Sequence, residues 1–302
     1  MRSRRLIKLG SIELVVWIDD PLAGKLVALK QRLKGKSHAG APEPTAIDAR
    51  PKNPTAEQKA LYEIIDPIQW YHSIDLGHGV VTPGFFDHRP RLDHYHLPES
   101  LEGKRVLDVA TFDGFWALEF EKRGASEVVA VDLARVGQID LAPSVRASMT
   151  EDELKAPLGN GFRAVRQILG SNVKREEISV YDLSPERIGR FDFVFCSDLL
   201  IHLQNPVRAL QAIHSVCDGS AQFVELCDMS MQRHGPYNLL NYMGAKSDHI
   251  WWNFGEGTLM EMIRDAGFAQ VEEIDRFDLC PRGYSQSPPH IAYRASTGRE
   301  GI

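Results

Sequence analysis

Residues 104–120 read KRVLDVATFDGFWALEF. Arg105–Val109 is a short apolar run interrupted by Asp108. A turn of small residues follows, and from Phe115 to Lys122 apolar residues recur at helical spacing until Gly124 closes the segment. A strand that passes through a tight turn into a helix opens a βαβ unit. In open α/β sheets ligands gather at the carboxyl ends of the strands, so a ligand is expected over residues 110–114. The turn is not GxGxxG, because Ala110 and Phe112 stand where glycines would. A pyrophosphate needs close backbone approach and helix-terminus donors, so this spelling argues against an NAD(P)-dependent oxidoreductase. The Asp108 carboxylate suits a cationic amine better than a phosphate. An ordinary βα turn is the plainer alternative.

The same rhythm continues toward the C-terminus. Strands are expected at Glu127–Leu133 (EVVAVDL), Ile178–Leu183, Phe191–Ser197 and Gln222–Cys227. Helices are expected at Gly161–Gly170, Pro206–Val216 and Glu256–Gly267. The late strands Val271–Phe277 and His290–Arg294 have no crossover helix between them, which implies an antiparallel hairpin. The expected fold is a Rossmann-like, doubly wound, mostly parallel seven-stranded sheet with an antiparallel C-terminal strand. Segments 134–160 and 228–255 exceed ordinary loop length and read as lids or binding loops.

Three regions are expected: a strand, helix and linker arm over 1–55, an aromatic cover over 56–100, and a ligand-binding domain over 101–302 with its lid at 228–255. In the arm, a strand at Ile12–Ile18 precedes a basic helix at Leu22–Leu33 and a Gly/Pro-rich linker over 36–56. A helix at Ala56–Ile65 starts after Pro54-Thr55. Segment 67–97 is dense in aromatics and histidines, with Trp70, Tyr71 and His72 the favoured cover residues and Phe85 and Phe86 leaning to core.

The bulk properties exclude more than they select. The chain has 302 residues, a formal charge of -6 and 25% charged residues, so no broad basic face argues for nucleic acid. Its four cysteines form no CxxC pair and read as buried thiols in a reducing, cytoplasmic setting. No apolar run approaches the roughly 20 residues of a membrane helix, so no membrane partner is expected. No compact ligand motif is present, so no metal is expected.

Acidic residues mark the strand tips. Asp132 ends the second strand about two dozen residues after Asp108, the spacing at which a carboxylate reaches ribose hydroxyls from the neighbouring strand. Asp182, at the expected tip of the third, suits an adenine amine, with the Leu183 amide aimed at a ring nitrogen; a turn cap is the alternative. The fourth strand runs into CSDLLIHLQNP, residues 196–206, where Ser197 borders the turn. His202 there reads either as a general base or as a buried imidazole bonded to backbone.

VLDVATFDGFWALEF, VVAVDL, VYDL and CSDLLIHLQNP together resemble the successive motifs of class I S-adenosylmethionine-dependent methyltransferases, over roughly residues 67–295. The nearest subgroup is the tRNA wobble-uridine carboxymethyltransferases and their relatives. The resemblance implies S-adenosylmethionine as cofactor, with Asp108, Ala110, Gly114, Asp132, Leu133, Asp182, Leu183, Ser197 and Tyr71 around it. That subgroup holds its carboxylated donor with an upstream Lys and Trp, a Tyr before the motif histidine and a C-terminal Arg. Here Arg91, Phe86 and Ile201 occupy the first three positions and the Arg has no clear counterpart, so ordinary methyl transfer is expected.

A sulfonium methyl is already activated, so catalysis is mainly positioning, plus removal of a proton from an oxygen acceptor. Histidines near the covers favour O-methylation, with His202, His72 and His234 the candidate bases. Tyr237, Trp251 and Trp252 in the 228–255 lid are candidate acceptor contacts, though plain packing serves the tryptophans equally. The expected partner is a small hydroxylated molecule, with tRNA a weaker alternative through the basic N-terminal clusters. That arm is also a candidate for self-association. A non-catalytic cofactor-binding relative is the remaining alternative, suggested by the altered turn.

Overall fold

The computed structural model describes residues 2–9, 12–19, 50–234, 238–245, 249–285 and 287–298. The helix expected at Leu22–Leu33 lies outside them, as does most of the linker. Two compact units divide the chain, residues 1–87 with 280–287, and residues 88–279 with 288–302.

The smaller unit contains an antiparallel hairpin of β1 (Arg2–Leu9) and β2 (Ile12–Asp19). Helix α1 (Ala56–Ile65) begins where Thr55 and Gln58 form a reciprocal capping box, and it buries Leu61 and Ile65. The aromatic segment after it is folded on itself. The Trp70 indole donates to the Ile65 carbonyl (2.9 Å), and the Thr82 hydroxyl donates to the His72 carbonyl (2.7 Å). Gly84 rests on the His72 backbone so closely that a β-carbon would lie 2.0 Å from it. Trp70, His72 and Phe86 are buried, Tyr71 is partly covered and Phe85 is exposed.

The larger unit is built on a seven-stranded sheet in the order β10-β11-β7-β6-β3-β4-β5. The strands are β3 (Arg105–Val109), β4 (Glu127–Asp132), β5 (Lys174–Glu177), β6 (Phe191–Ser197), β7 (Cys217–Leu226), β10 (Gln270–Asp278) and β11 (Pro289–Ser296). The strands from β7 through β5 pair in parallel, whereas β11 is antiparallel to both its neighbours. The fold is therefore the expected α/β doubly wound sheet with one antiparallel strand. Central strands such as EVVAVD are apolar between their ends because helices cover both faces of a parallel sheet. Those helices include α2 (Phe115–Lys122), α3 (Asn160–Leu169), α4 (Pro206–Val216) and α5 (Glu256–Asp265).

The third strand needs correction. It was expected over Ile178–Leu183, but β5 is the polar stretch Lys174–Glu177, and Val180–Asp182 is a 3-10 turn. An edge strand has one neighbour and little to bury, so its residues can be charged. The apolar run after it leaves the sheet and caps the core instead. Cys196, Cys217 and Cys227 are buried thiols as expected, but Cys280 is exposed. Among the described residues, no helix is long and apolar enough to cross a membrane.

Candidate active site

The chain moves outward from β3 to β4 and β5 on one side, and from β6 to β7 on the other. Beyond the carboxyl ends at this reversal no crossover helix fills the space, so a crevice opens there. A pocket open to solvent occupies it. Ala110, Asp132 and Leu133 line it from the first two strand tips, and Gln138 and Asp140 from the following loop. Ile178–Tyr181, Leu199 and Leu203 complete the wall.

The turn above β3 holds an unusual backbone. Ala110 and Phe112 have φ of 60° and 48°, in the left-handed region where a side chain costs roughly 1–2 kcal/mol. The Asp132 carboxylate compensates by accepting the Phe112 amide (2.9 Å) and its neighbour Leu133's amide (2.7 Å). Gly114, at φ 91°, starts α2, and a β-carbon there would lie 2.7 Å from the Phe162 ring. The turn is thus shaped as a glycine-rich one would be, with two of the glycines replaced.

Two buried acids serve this turn. Asp108 Oδ2 accepts the Ala117 amide (3.1 Å), while Oδ1 is buried and makes no hydrogen bond of normal geometry. Burial pushes the Asp108 carboxyl up to about 7, against the pull of the Thr111 hydroxyl and the Ala117 amide. Burial also raises Asp132, opposed by the Leu133 amide and by Arg175. The Arg175 guanidinium is anchored on the Leu133 carbonyl (2.9 Å).

A polar network closes the far wall. The Tyr181 hydroxyl donates to Asp140 (2.6 Å) and accepts from the Asn205 amide (3.0 Å), and the Gln204 amide also donates to Asp140 (2.7 Å). The segment expected as a lid is tied to the same rim. It contains the hairpin of β8 (Leu240–Tyr242) and β9 (Trp252–Phe254). The Trp251 indole donates to the Asp140 carbonyl (2.7 Å), and the Trp252 indole to the Leu203 carbonyl (2.9 Å). The His202 Nδ1 donates to the His249 carbonyl (3.0 Å), a third tie between the same pieces.

Of the residues singled out in the sequence, Ala110, Asp132 and Leu133 therefore meet in one pocket, with Asp108 and Gly114 in the turn beside it. Asp182 instead turns to Arg187 (3.7 Å), and Leu183 is buried in the core; Ser179, Val180 and Tyr181 line the wall in their place. This follows from the shifted third strand. Ser197 sits at the tip of β6, its hydroxyl on Asp198 (3.1 Å). Trp251 and Trp252 commit their indole N–H groups to backbone. Tyr71 and His72 belong to the other unit. The His234 side chain and Tyr237 lie outside the described residues.

Four groups escaped notice in the sequence: Asp140, Asp198, Glu225 and His290. Glu225 carried a signal, a charged residue inside the apolar strand FVELC, which must be either paired or functional. Asp140 carried none. Among the described residues no group of His, Cys, Asp and Glu side chains is arranged to hold a metal.

The surroundings fit an adenosyl-methionine donor. Asp132 offers acceptor oxygens at the second strand tip, Leu133 and Val180 give apolar walls for a flat ring, and the under-bonded Asp108 is suited to a cationic amine. The methyltransferase-domain family matches residues 88–273, more than half of the chain. The ubiquinone biosynthesis O-methyltransferase of Neisseria meningitidis is 28% identical over 59% of this chain and 68% of its own length. The tRNA U34 carboxymethyltransferase of Campylobacter hominis is 29% identical over 38% of this chain, which spans only 33% of that relative. The N-terminal domain of EvdMO1, solved in the presence of SAH and D-fucose, shares the fold, with a TM-score of 0.55 over 82% of this chain and 99% of that one at 16% identity. The chain belongs to the methyltransferase-domain family and is an S-adenosylmethionine-dependent methyltransferase.

Proposed function

We propose that this enzyme transfers the methyl group to a hydroxyl of a small molecule, a natural-product or sugar intermediate. The observation that carries the reading is the set of buried acids around the strand tips. Asp108 lies at the donor turn, Asp198 directly follows β6 with its side chain 10% exposed, and Glu225 lies within β7. An oxygen acceptor must shed a proton, and buried carboxyl groups beside the donor pocket can receive it. The Neisseria relative, named as an O-methyltransferase, supports the same reaction.

In this reading Asp132 accepts from the ribose diol, and Leu133 and Val180 flank the adenine. Asp108 holds the amine, and the turn 110–114 lies along the rest of the donor. When bound, the donor supplies a methyl group already activated on a sulfonium. The protein's own work is to orient the acceptor, exclude water and receive a proton. The indole ties of Trp251 and Trp252 hold the lid over the rim, and His202 positions it from the other side. We place the enzyme in the cytoplasm, with the N-terminal arm as a self-association element. The net charge of -6 favours a small acceptor over tRNA.

The test is transfer of a labelled methyl group into a metabolite extract, run beside bulk tRNA. Label in an extractable hydroxylated product supports the reading. Label in tRNA, with salt-sensitive tRNA binding in a gel shift, would replace it with the tRNA-modifying alternative.

A further inference from the structure

Next in sequence to the pocket-lining Leu199 is a member of a buried ion pair. Asp198 directly follows β6 and precedes Leu199, which lines the pocket. Its φ is 51°, again in the left-handed region that a side chain makes costly. Its Oδ1 lies 3.1 Å from His290 Nε2, and its Oδ2 accepts the Ser197 hydroxyl at 3.1 Å. The other ring nitrogen of His290 lies 2.9 Å from the Pro288 carbonyl. A carbonyl oxygen only accepts, and so does a carboxylate. Facing a carbonyl and an ionised carboxylate, such a ring donates from both nitrogens. His290 is an imidazolium and Asp198 a carboxylate, an ion pair whose side chains are 3% and 10% exposed.

Such a pair is no better for stability than apolar residues of the same volume, because desolvation cancels the attraction. Here it also sits on a strained residue, at the sheet's carboxyl end, where chemistry takes place in this fold. The groups around it are acidic or imidazole. Glu225 of β7 and His88 face Asp198, and Asp278 of β10 faces His290. Asp108 of β3 and Cys196 of β6 complete the neighbourhood. Burial disfavours charge on both partners, yet each holds the other ionised. Asp198 stays below the usual carboxylate range and His290 above the usual imidazole range. Glu225, desolvated and repelled by Asp198, is pushed well above the usual carboxylate range.

We propose that Asp198 is the general base of methyl transfer and that His290 is its positioning residue. The proposal rests on the reading of a hydroxyl acceptor. As the acceptor oxygen forms its bond to the methyl carbon, the carbon–sulfur bond of the donor breaks and its electron pair stays on sulfur. The O–H proton passes to the Asp198 carboxylate, and then to water once the product leaves. A hydroxyl attacking a cationic methyl becomes strongly acidic as the bond forms, so a carboxylate is basic enough to take the proton late in the step. The His290 imidazolium fixes which oxygen of Asp198 turns to the acceptor and stays charged throughout.

The experiment compares the full chain with Asp198→Asn and His290→Gln. Labelled S-adenosylmethionine is the donor, and the two acceptors are catechol and 4-nitrothiophenol, the latter already a thiolate at pH 8. Calorimetry with S-adenosylhomocysteine and nitrogen NMR of the His290 ring are run on the same proteins. Asp198→Asn is expected to bind S-adenosylhomocysteine within about twofold of wild type and to lose about 100-fold or more in kcat on catechol. It should lose less than about tenfold on the thiolate, which needs no base. The His290 ring should be doubly protonated at pH 8 in the wild type and neutral in Asp198→Asn. Equal losses on both acceptors, unchanged turnover of catechol, or a neutral ring in the wild type would each overturn the proposal. A wild type that binds S-adenosylhomocysteine but methylates the thiolate alone would overturn the hydroxyl reading itself, and the base with it.

Discussion

Asp108→Asn sets cofactor binding and stability against one another. Asp108 is 1% exposed, and burial raises its carboxyl from the ordinary value of 3.8 to about 7. Because the folded value lies above the unfolded one, the stability linked to the neutral form is complete below about pH 4 and is lost as pH rises toward 7. A shift of about three units corresponds to at most about 4 kcal/mol above pH 7, and structural relaxation brings the realised cost to about 1–3 kcal/mol. Asparagine is uncharged and keeps an oxygen for the Ala117 amide at 3.1 Å, so the variant should recover most of that cost. It surrenders the charge-assisted hydrogen bond to the donor's amine, worth about 1.5–3 kcal/mol, or roughly 10- to 150-fold in affinity. The assays are thermal unfolding at pH 5 and pH 8, and calorimetry with S-adenosylhomocysteine from pH 6 to 8. Wild-type affinity should rise over that interval as Asp108 ionises, and the variant should lose this dependence. The variant should also melt higher than wild type at pH 8 but not at pH 5. A variant that binds as well as wild type, or melts lower at pH 8, would refute the reasoning.

Asp132→Asn should weaken S-adenosylhomocysteine binding at least tenfold by calorimetry, since it loses charge at the ribose position while keeping one acceptor for the Phe112 amide at 2.9 Å. Gly114→Ala should destabilise the protein by about 1–3 kcal/mol in denaturant unfolding, because alanine at φ 91° is strained and its β-carbon would meet the Phe162 ring at 2.7 Å. S-adenosylmethionine should bind more tightly than its carboxylated analogue, since buried Ile201 offers no side-chain donor to a second carboxylate; competition calorimetry that ranks the analogue equal or better would reverse this. A chain starting at Thr55 should keep its affinity for S-adenosylhomocysteine and lose any self-association, and light scattering that gives one oligomeric state for both chains would remove the second half.

The βα rhythm, the parallel sheet and the antiparallel end were legible in the sequence, because buried parallel strands are continuous apolar runs and the missing crossover before β11 is visible as a loop. So were Asp108 and Asp132, for a strand tip followed by a turn leaves its acidic residue in one place whatever the rest of the chain does. Local spelling failed where a segment's role depends on what covers it. Ile178–Leu183 has a strand's composition, but at the sheet edge hydrogen bonding was available to polar residues just upstream, and the apolar run was worth more as a cap on the core. Asp182 and Leu183 moved away from the pocket wall with it. Trp251 and Trp252 read equally as acceptor contacts or as packing, and only the packed structure shows their N–H groups bonded to the carbonyls of Asp140 and Leu203. The pairing of Asp198 with His290 was invisible for the most general reason. The two lie 92 positions apart and meet because β11 inserts antiparallel beside β7, a register that long-range pairing of strands decides and no local pattern records.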